Sequence, residues 1–369
     1  MKKYIIWLCL LIVSVTVIWL SSGKSKSNTI KIGAALGQTG ICAEFGEGEL
    51  KAVTLAVEEI NKLGGVNGKQ INLIAEDTQC ENKTTVSAFQ KLINIDKVAA
   101  IIGPTWGDSF QGGYPIAYEK KIVSVSPSTA IEALEITKQP IDFIFSTWFP
   151  ARLETDALQK FALKKGLKKI VIVHDQDPFG IMSAMVFKER SALNGLEITD
   201  EYTTAVDTSD FRTIISRIKA KSPDAIFSSF ITPESKAIFI KQARQLGIRN
   251  PILSTAEIQN PSLLSGFGDV LEGVIYTYPK GAKGFDDFAI KYKERFGVEP
   301  QGPSASNAYD AVHILVEAMR QGGDFENKLL TASIGGATYD TLKFSSQHQV
   351  SDGAFEIKTI KGKQFIRVE

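Results

Sequence analysis

The sequence has 369 residues, with 42 Lys+Arg against 41 Asp+Glu, 44% hydrophobic and 22% charged residues. A near-neutral balance excludes a protein whose affinity rests on neutralising phosphates, and ordinary composition excludes disordered, collagen-like and multi-span membrane classes. Three cysteines and three histidines exclude disulfide-dense and His/Cys-rich metal scaffolds, and the length suits about two domains.

The chain opens with Lys2 and Lys3, an apolar run over 4–20 and a small, polar stretch over 21–28. A basic start, an apolar middle and small residues such as Ser21 and Gly23 describe a secretory signal over 1–27. The apolar run is about 26 Å long as a helix, close to the ~30 Å of a bilayer core, so an uncleaved anchor is the alternative. In either case the body of the chain faces an outside, oxidising space.

From residue 29 the sequence alternates strand and helix. Strand Thr29–Leu36 is followed by a helix over 45–62, with Leu50, Val53, Val57 and Ile60 on one face. Glu47 and Glu49 lie near its amino end, where the helix dipole favours acids. Strands over 71–75, 98–103 and 122–126 and helices over 83–94 and 113–120 complete this run. After Trp148-Phe149-Pro150 the alternation restarts. It has strands over 169–174, 196–203, 225–230, 252–255 and 273–278, and helices over 151–165, 179–194, 209–221, 233–246 and 261–267. Helices over 284–297 and 304–321 and a strand-rich tail over 341–344, 354–361 and 364–368 close the chain. Continuous apolar strands between amphipathic helices predict an α/β fold with two doubly wound parallel-sheet lobes, and the tail predicts more than one crossing between them.

Cys42 follows the first strand and Cys80 the second. Neighbouring parallel strands open their loops at one carboxyl edge. The two cysteines therefore read as a bridge between edge loops or, alternatively, as two small buried thiols; spacing alone does not choose.

Motifs for chemistry are few. The segment 64–70 (GGVNGKQ) lacks the glycine spacing of a phosphate loop and follows a helix, and no dinucleotide fingerprint, nucleophile elbow or paired-His helix occurs. His174 and His313 read as structural residues and His348 as a loop residue. Glu76-Asp77 is a poor acid–base pair because adjacent strand residues point to opposite faces, and Asp175 with Asp177 has no nucleophile or orienting partner. No enzymatic role, metal, cofactor or nucleic-acid partner is expected. The polar and aromatic residues instead gather after strands, at 37–45 (GQTGICAEF), 103–109 (GPTWGDS) and 126–130 (SPSTA). Ligands of open α/β sheets bind at this edge. Backbone N–H groups at a helix start suit a carboxylate, with Phe45, Trp106 and Trp148 as an apolar wall or, alternatively, as ordinary core.

A series of segments in fixed order carries a family likeness: IGAALGQTGICAEF at 32–45, AVEEINKLGGVNG at 56–68, EDTQC at 76–80, IIGP at 101–104 and VSP at 125–127. Asp210-Phe211 with Ile215, Ile218 and Lys219 continues it. Pro233-Glu234 with 241–247 (KQARQLG) and Ala308-Tyr309-Asp310-Ala311-Val312 complete it. With these the chain resembles the type I periplasmic solute-binding proteins of ABC importers, in the branched-chain amino-acid (Leu/Ile/Val) binding group. The resemblance implies two lobes joined by a three-strand hinge, with 28–147 and 280–351 in lobe one and 148–279 and 352–369 in lobe two. It further implies a monomer in the periplasm or on the outer face of the cytoplasmic membrane. Such a protein captures an amino acid or related small carboxylate or amide and passes it to the membrane subunits of an ABC importer. A membrane-tethered ligand sensor with the same bilobal domain is the alternative.

The resemblance also assigns a site. Phe45 matches the aromatic that covers the ligand, with Trp106 beside it. Where the family offers a hydroxyl, this sequence has Gly107, followed by Asp108 and Ser109; Ala130 stands in place of a second Thr, behind Ser128 and Thr129. Gly107, Ser109, Ser128 and Thr129 are expected to hold the ligand's polar end. Trp148, Phe179 and Glu257 contribute from lobe two, with Glu257 one step beyond the aligned acid position and Asp108 its competitor for a ligand cation.

Overall fold

The structure, a computed structural model, describes residues 29–368; the leader expected over 1–27 lies outside the described residues. Five strands form a first, wholly parallel sheet: β1 (Thr29–Leu36), β2 (Gln70–Asp77), β3 (Ala100–Ile102), β4 (Ser124–Ser126) and β5 (Ile144–Ser146). Their order is β2-β1-β3-β4-β5, so the direction of winding reverses between β1 and β3. Alternation along β1 sends Ala34 and Leu36 into one core and Ala35 into the other, as a period of two requires. Helices Ala43–Lys62 and Gly302–Gln321 cover the first face, and helices Asn82–Gln90, Gly107–Lys120 and Glu132–Thr137 the second.

The second sheet holds β6 (Lys169–Asp175), β7 (Glu197–Thr204), β8 (Ala225–Ser229), β9 (Ile252–Ser254), β10 (Ile275–Pro279), β11 (Phe355–Lys361) and β12 (Gln364–Arg367). Its order, β12-β11-β10-β9-β8-β6-β7, reverses between β6 and β8. Helices Ala151–Lys164 and Pro178–Asn194 pack on one face; helices Arg212–Lys221, Pro233–Gln245 and Pro261–Phe267 pack on the other.

The chain passes between the sheets after β5, after β10 and before β11. Thr147 anchors the first passage: its Oγ1 donates to the Asn307 carbonyl (3.0 Å), and Tyr339 Oη donates to its carbonyl (3.0 Å). At the other two, Lys280 N donates to the Ala354 carbonyl (2.8 Å).

Besides β5 and helices Glu132–Thr137 and Phe325–Thr331, which the sequence pattern does not show, three features differ from the sequence expectation. The second sheet is mixed rather than purely parallel, because β11 runs antiparallel to both β10 and β12. Only Gly362 and Lys363 connect β11 to β12, both with positive φ (57° and 58°); a two-residue connection closes only an antiparallel hairpin. Residues 341–344 make isolated bridges, Ile334 with Leu342 and Phe344 with Val350, instead of a strand. The helix expected over 113–120 begins at Gly107. Gly112 and Gly113 weaken its sequence signal, yet Gly113 is a packing residue, since a Cβ there would come within 2.5 Å of the Phe89 ring. Among the described residues no helix is long and apolar enough to cross a membrane.

Candidate ligand site

Both winding reversals open toward one cleft, and the loops at them build the site. In the first sheet these are the loops after β1 and β3. Cys42, after β1, is disulfide-bonded to Cys80, after β2, with Cα atoms 6.2 Å apart. Asp77 ties the same loops together by accepting Gln38 N (2.9 Å), Gln79 N (2.9 Å) and Thr39 Oγ1 (2.5 Å). Helix Ala43–Lys62 then starts directly against the loop. A Cβ at Gly46 would lie 2.1 Å from the Gly37 carbonyl oxygen, so only glycine seats the first turn, and Phe45 with it, at this height.

Phe45 meets Trp106 edge to face, centroids 5.1 Å apart at 62°, a favourable aromatic geometry. Trp106 precedes helix Gly107–Lys120 with φ 60° and ψ 161°. A side chain rarely adopts this backbone conformation, and such strain is typical of ligand sites. Its N–H points to Ser128 Oγ at 3.4 Å, which links the loops after β3 and β4.

These residues line a cleft that encloses about 700 Å³ of non-atom space, its open mouth included. The first-sheet side supplies Phe45, Trp106, Ser128, Thr129, Ala130 and Ala133; the second-sheet side supplies Trp148, Phe179, Met182, Ile231, Lys236 and Glu257. Trp148 stacks on Phe149 (4.3 Å) beside the first passage between sheets. Phe179 opens helix Pro178–Asn194, its N–H donating to the capping Asp177 carboxylate (2.8 Å). Glu257 sits in the short turn Ala256–Ile258 after β9.

Contacts across the cleft hold its walls together. Asn260 Nδ2 donates to Glu44 Oε2 (3.1 Å), and Arg152 makes two 2.8 Å hydrogen bonds to the Glu135 carboxylate while also binding Glu189. Within the cavity two polar atoms are buried without a hydrogen-bond partner among the described residues: Thr129 Oγ1 on one wall and Glu257 Oε2 on the other. Buried polar groups are ordinarily satisfied, so both atoms are free to bond a molecule that enters the cavity.

Seven of the sequence-derived site residues, Phe45, Trp106, Ser128, Thr129, Trp148, Phe179 and Glu257, thus line one cavity. Gly107, Asp108 and Ser109 form the first turn of a helix, and their side chains lie outside the described residues. Sequence reasoning missed Ala130, Ala133, Met182, Ile231 and Lys236. It also placed Glu49 at a helix start favoured by the dipole, whereas its side chain is fully buried. The available signal was position: Glu49 precedes Val53 and Ala56 on the buried stripe, and Lys236 precedes Ile240 and Ala243 in the same way.

Glu49 underlies the Ser128 wall. Its Oε2 accepts Thr105 Oγ1 (2.5 Å), and Thr105 Oγ1 in turn accepts Gly37 N (3.1 Å). Burial pushes the Glu49 carboxyl up to about 8, against the hydrogen bond from Thr105. On the other wall burial, and then repulsion from Glu257, push Glu154 up to about 8; its Oε1 accepts Thr277 Oγ1 (2.7 Å) and Ala256 N (3.0 Å).

A pH dependence follows. Between the unfolded and folded pKa values of these acids the native state binds more protons, so their contribution to stability falls as pH rises. His313, lowered by burial to about 4, acts in the opposite sense only below its ordinary pKa of about 6.5. From about pH 6.5 to 8 Glu49 and Glu154 contribute a falling slope, joined at the lower end by Asp310, which burial pushes up to about 7. The unfolding midpoint is expected to drop over that interval, and Glu49→Gln to flatten the drop; thermal unfolding at the two pH values checks both.

Two facing α/β sheets, joined by three passages and enclosing an apolar cavity with polar poles, define a bilobal ligand-binding fold. The family model described as periplasmic binding protein matches residues 29–356, and the chain belongs to that family, with its type I fold. The Leu-, Ile-, Val-, Thr- and Ala-binding protein of Pseudomonas aeruginosa is 26% identical over 348 residues, 92% of this chain and 91% of the relative. The Leu/Ile/Val-binding protein of Escherichia coli K12 is 26% identical over 312 residues, 82% of each. Among solved structures, a branched-chain amino-acid transporter substrate-binding protein from Streptococcus pneumoniae, in complex with isoleucine, superposes with TM-score 0.79 at 23% identity, covering 91% of this chain and 97% of its own. An ABC transporter solute-binding protein from R. palustris, in complex with benzoate, gives 0.78 at 20% identity, covering 92% and 95%.

Proposed function

We propose that the protein captures a small solute, an amino acid or related small carboxylate or amide, by closing two lobes on it, and delivers it outside the cytoplasm to an ABC importer. In this reading the lobes comprise 28–147 with 280–351 and 148–279 with 352–369, and the three passages form the hinge. Ser128 and Thr129 hold the polar end; Phe45, Trp106, Trp148 and Phe179 surround the apolar part; Glu257 meets a cationic group. The protein acts as a monomer and without covalent chemistry. The observation that carries the reading is the pair of unpartnered buried atoms, Thr129 Oγ1 and Glu257 Oε2, on opposite walls of one aromatic-lined cavity. Relatives named for aliphatic amino acids and a neighbour bound to benzoate support the ligand classes.

A thermal-shift screen of amino acids, amides and small aromatic acids tests it, since a ligand that binds only the folded state raises the midpoint. At least one member is expected to do so, and calorimetry with Phe45→Ala is expected to show affinity for that member weakened by about 1–3 kcal/mol through lost apolar contact. The unliganded midpoint is expected to change little, because Phe45 is partly exposed. A panel without any shift contradicts the reading.

A further inference from the structure

Lys236 brings a buried cation to the cavity wall. It lies one turn into helix Pro233–Gln245, which starts at the winding reversal of the second sheet and is capped by Thr232. Ile240 and Ala243, on the same helical face, are 0% and 1% exposed, and Lys236 itself is only 1% exposed. The helix thus directs the ammonium inward. Removing a charge from water is costly unless a partner replaces the water.

The protein does not supply that partner in direct contact. Glu257, Glu154 and Asp175 act on Lys236 through space, but among the described residues none forms an ion pair or side-chain hydrogen bond with it. Glu154 and Asp175 have acceptor atoms committed elsewhere, whereas Glu257 Oε2 has no hydrogen-bond partner. Glu154 Oε1 holds Thr277 and Ala256, while the Asp175 oxygens take Asp177 N (3.2 Å) and Ile231 N (2.8 Å). Lys236 is therefore left facing the cavity. Across the cleft stand the hydroxyls of Ser128 and Thr129, the latter unpartnered. An ammonium on one wall and hydroxyl donors on the other complement one group above others, a carboxylate: anionic, with two acceptor oxygens.

We propose that Lys236 receives the ligand's carboxylate from the second lobe, restricting the solute class to carboxylic acids. These are α-amino acids, whose ammonium meets Glu257, and simple acids that lack an amine. The amide of the same skeleton is rejected, because it leaves the buried Lys236 without an anion in direct contact. The inference rests on the cavity being the ligand site and narrows the solutes it accepts.

Calorimetric titration with two acid–amide pairs, L-isoleucine with L-isoleucinamide and benzoate with benzamide, tests it. The unmodified protein is expected to bind at least one acid 10-fold or more tighter than its amide. Lys236→Met and Lys236→Gln, each confirmed as folded by thermal unfolding, are expected to weaken that acid at least 10-fold and to bring acid and amide within 3-fold. Binding of acid and amide within 3-fold by the unmodified protein overturns the assignment while leaving the cavity as the ligand site. So does a folded variant that keeps the full acid preference. If neither variant folds, the acid-to-amide ratio of the unmodified protein decides. If neither acid binds, the acid–amide comparison is made on the panel member that does; a panel without any binder removes the proposed ligand site, and the role of Lys236 with it.

Discussion

Glu257→Gln is expected to weaken L-isoleucine binding by more than tenfold and to leave benzoate within about threefold. The difference isolates charge, because glutamine keeps the shape of the side chain and an acceptor oxygen but not the anion. Glu257 Oε2 is buried and unpartnered, so it has no structural bond to lose. The neighbouring acid is a poor replacement: burial is the main cause that keeps the Glu154 carboxyl raised, and its Oε1 is occupied by Thr277 and Ala256. An ammonium that enters this wall has Glu257 as its counter-charge, and a hydrogen bond to a charged group is worth about 1.5–3 kcal/mol. That corresponds to roughly a 10- to 150-fold loss. Benzoate has no ammonium and forgoes nothing. Calorimetry with both ligands reads the result; equal losses for both, or none for L-isoleucine, would move the ammonium site elsewhere.

Removal of the Cys42–Cys80 bridge has the larger effect on the fold. The cysteines are 38 residues apart, and opening a loop of that size costs about 2–4 kcal/mol in the chain-entropy account. The Cys42→Ala, Cys80→Ala double variant is expected to lose this amount in denaturant unfolding. It also frees the loop that leads into the helix carrying Phe45, leaving Asp77 and the Thr78 N–H bond to the Leu36 carbonyl as ties between the β1 and β2 edges. Oxidised protein, denatured without reductant and alkylated, is expected to show no label on Cys42 or Cys80. Labelling of both contradicts the bridge.

The sequence carries much of this architecture because strands buried on both faces read as apolar runs. β1 and β6 are visible within a residue of their ends for that reason. β5, only Ile144–Ser146, is too short to show a period, and its helix Glu132–Thr137 goes unread with it. The site loops are legible because polar and aromatic residues at strand ends stand out against the core pattern, which gives Phe45, Trp106 and Ser128; Glu257 comes from the family resemblance alone. Met182 and Ile231 carry no such contrast: an apolar residue on a helix, or just after a buried strand, is ordinarily core, and only the relative placement of the two sheets turns them to a cavity. Lys236, Glu49 and Glu154 are hidden for a different reason. Each is a charge on the apolar stripe of its helix, and a charged residue in an amphipathic segment is read as solvent-facing until the tertiary fold closes over it.

The most direct test of this account is a crystal structure of the protein with the panel member that raises its melting temperature most. The account predicts the ligand between the lobes, touching Phe45 and Trp106 on one wall and Trp148 on the other, with its carboxylate within hydrogen-bond reach of Thr129 Oγ1 and Lys236 Nζ. A ligand bound outside this cavity, or held by one lobe alone with Lys236 and Glu257 untouched, would contradict it.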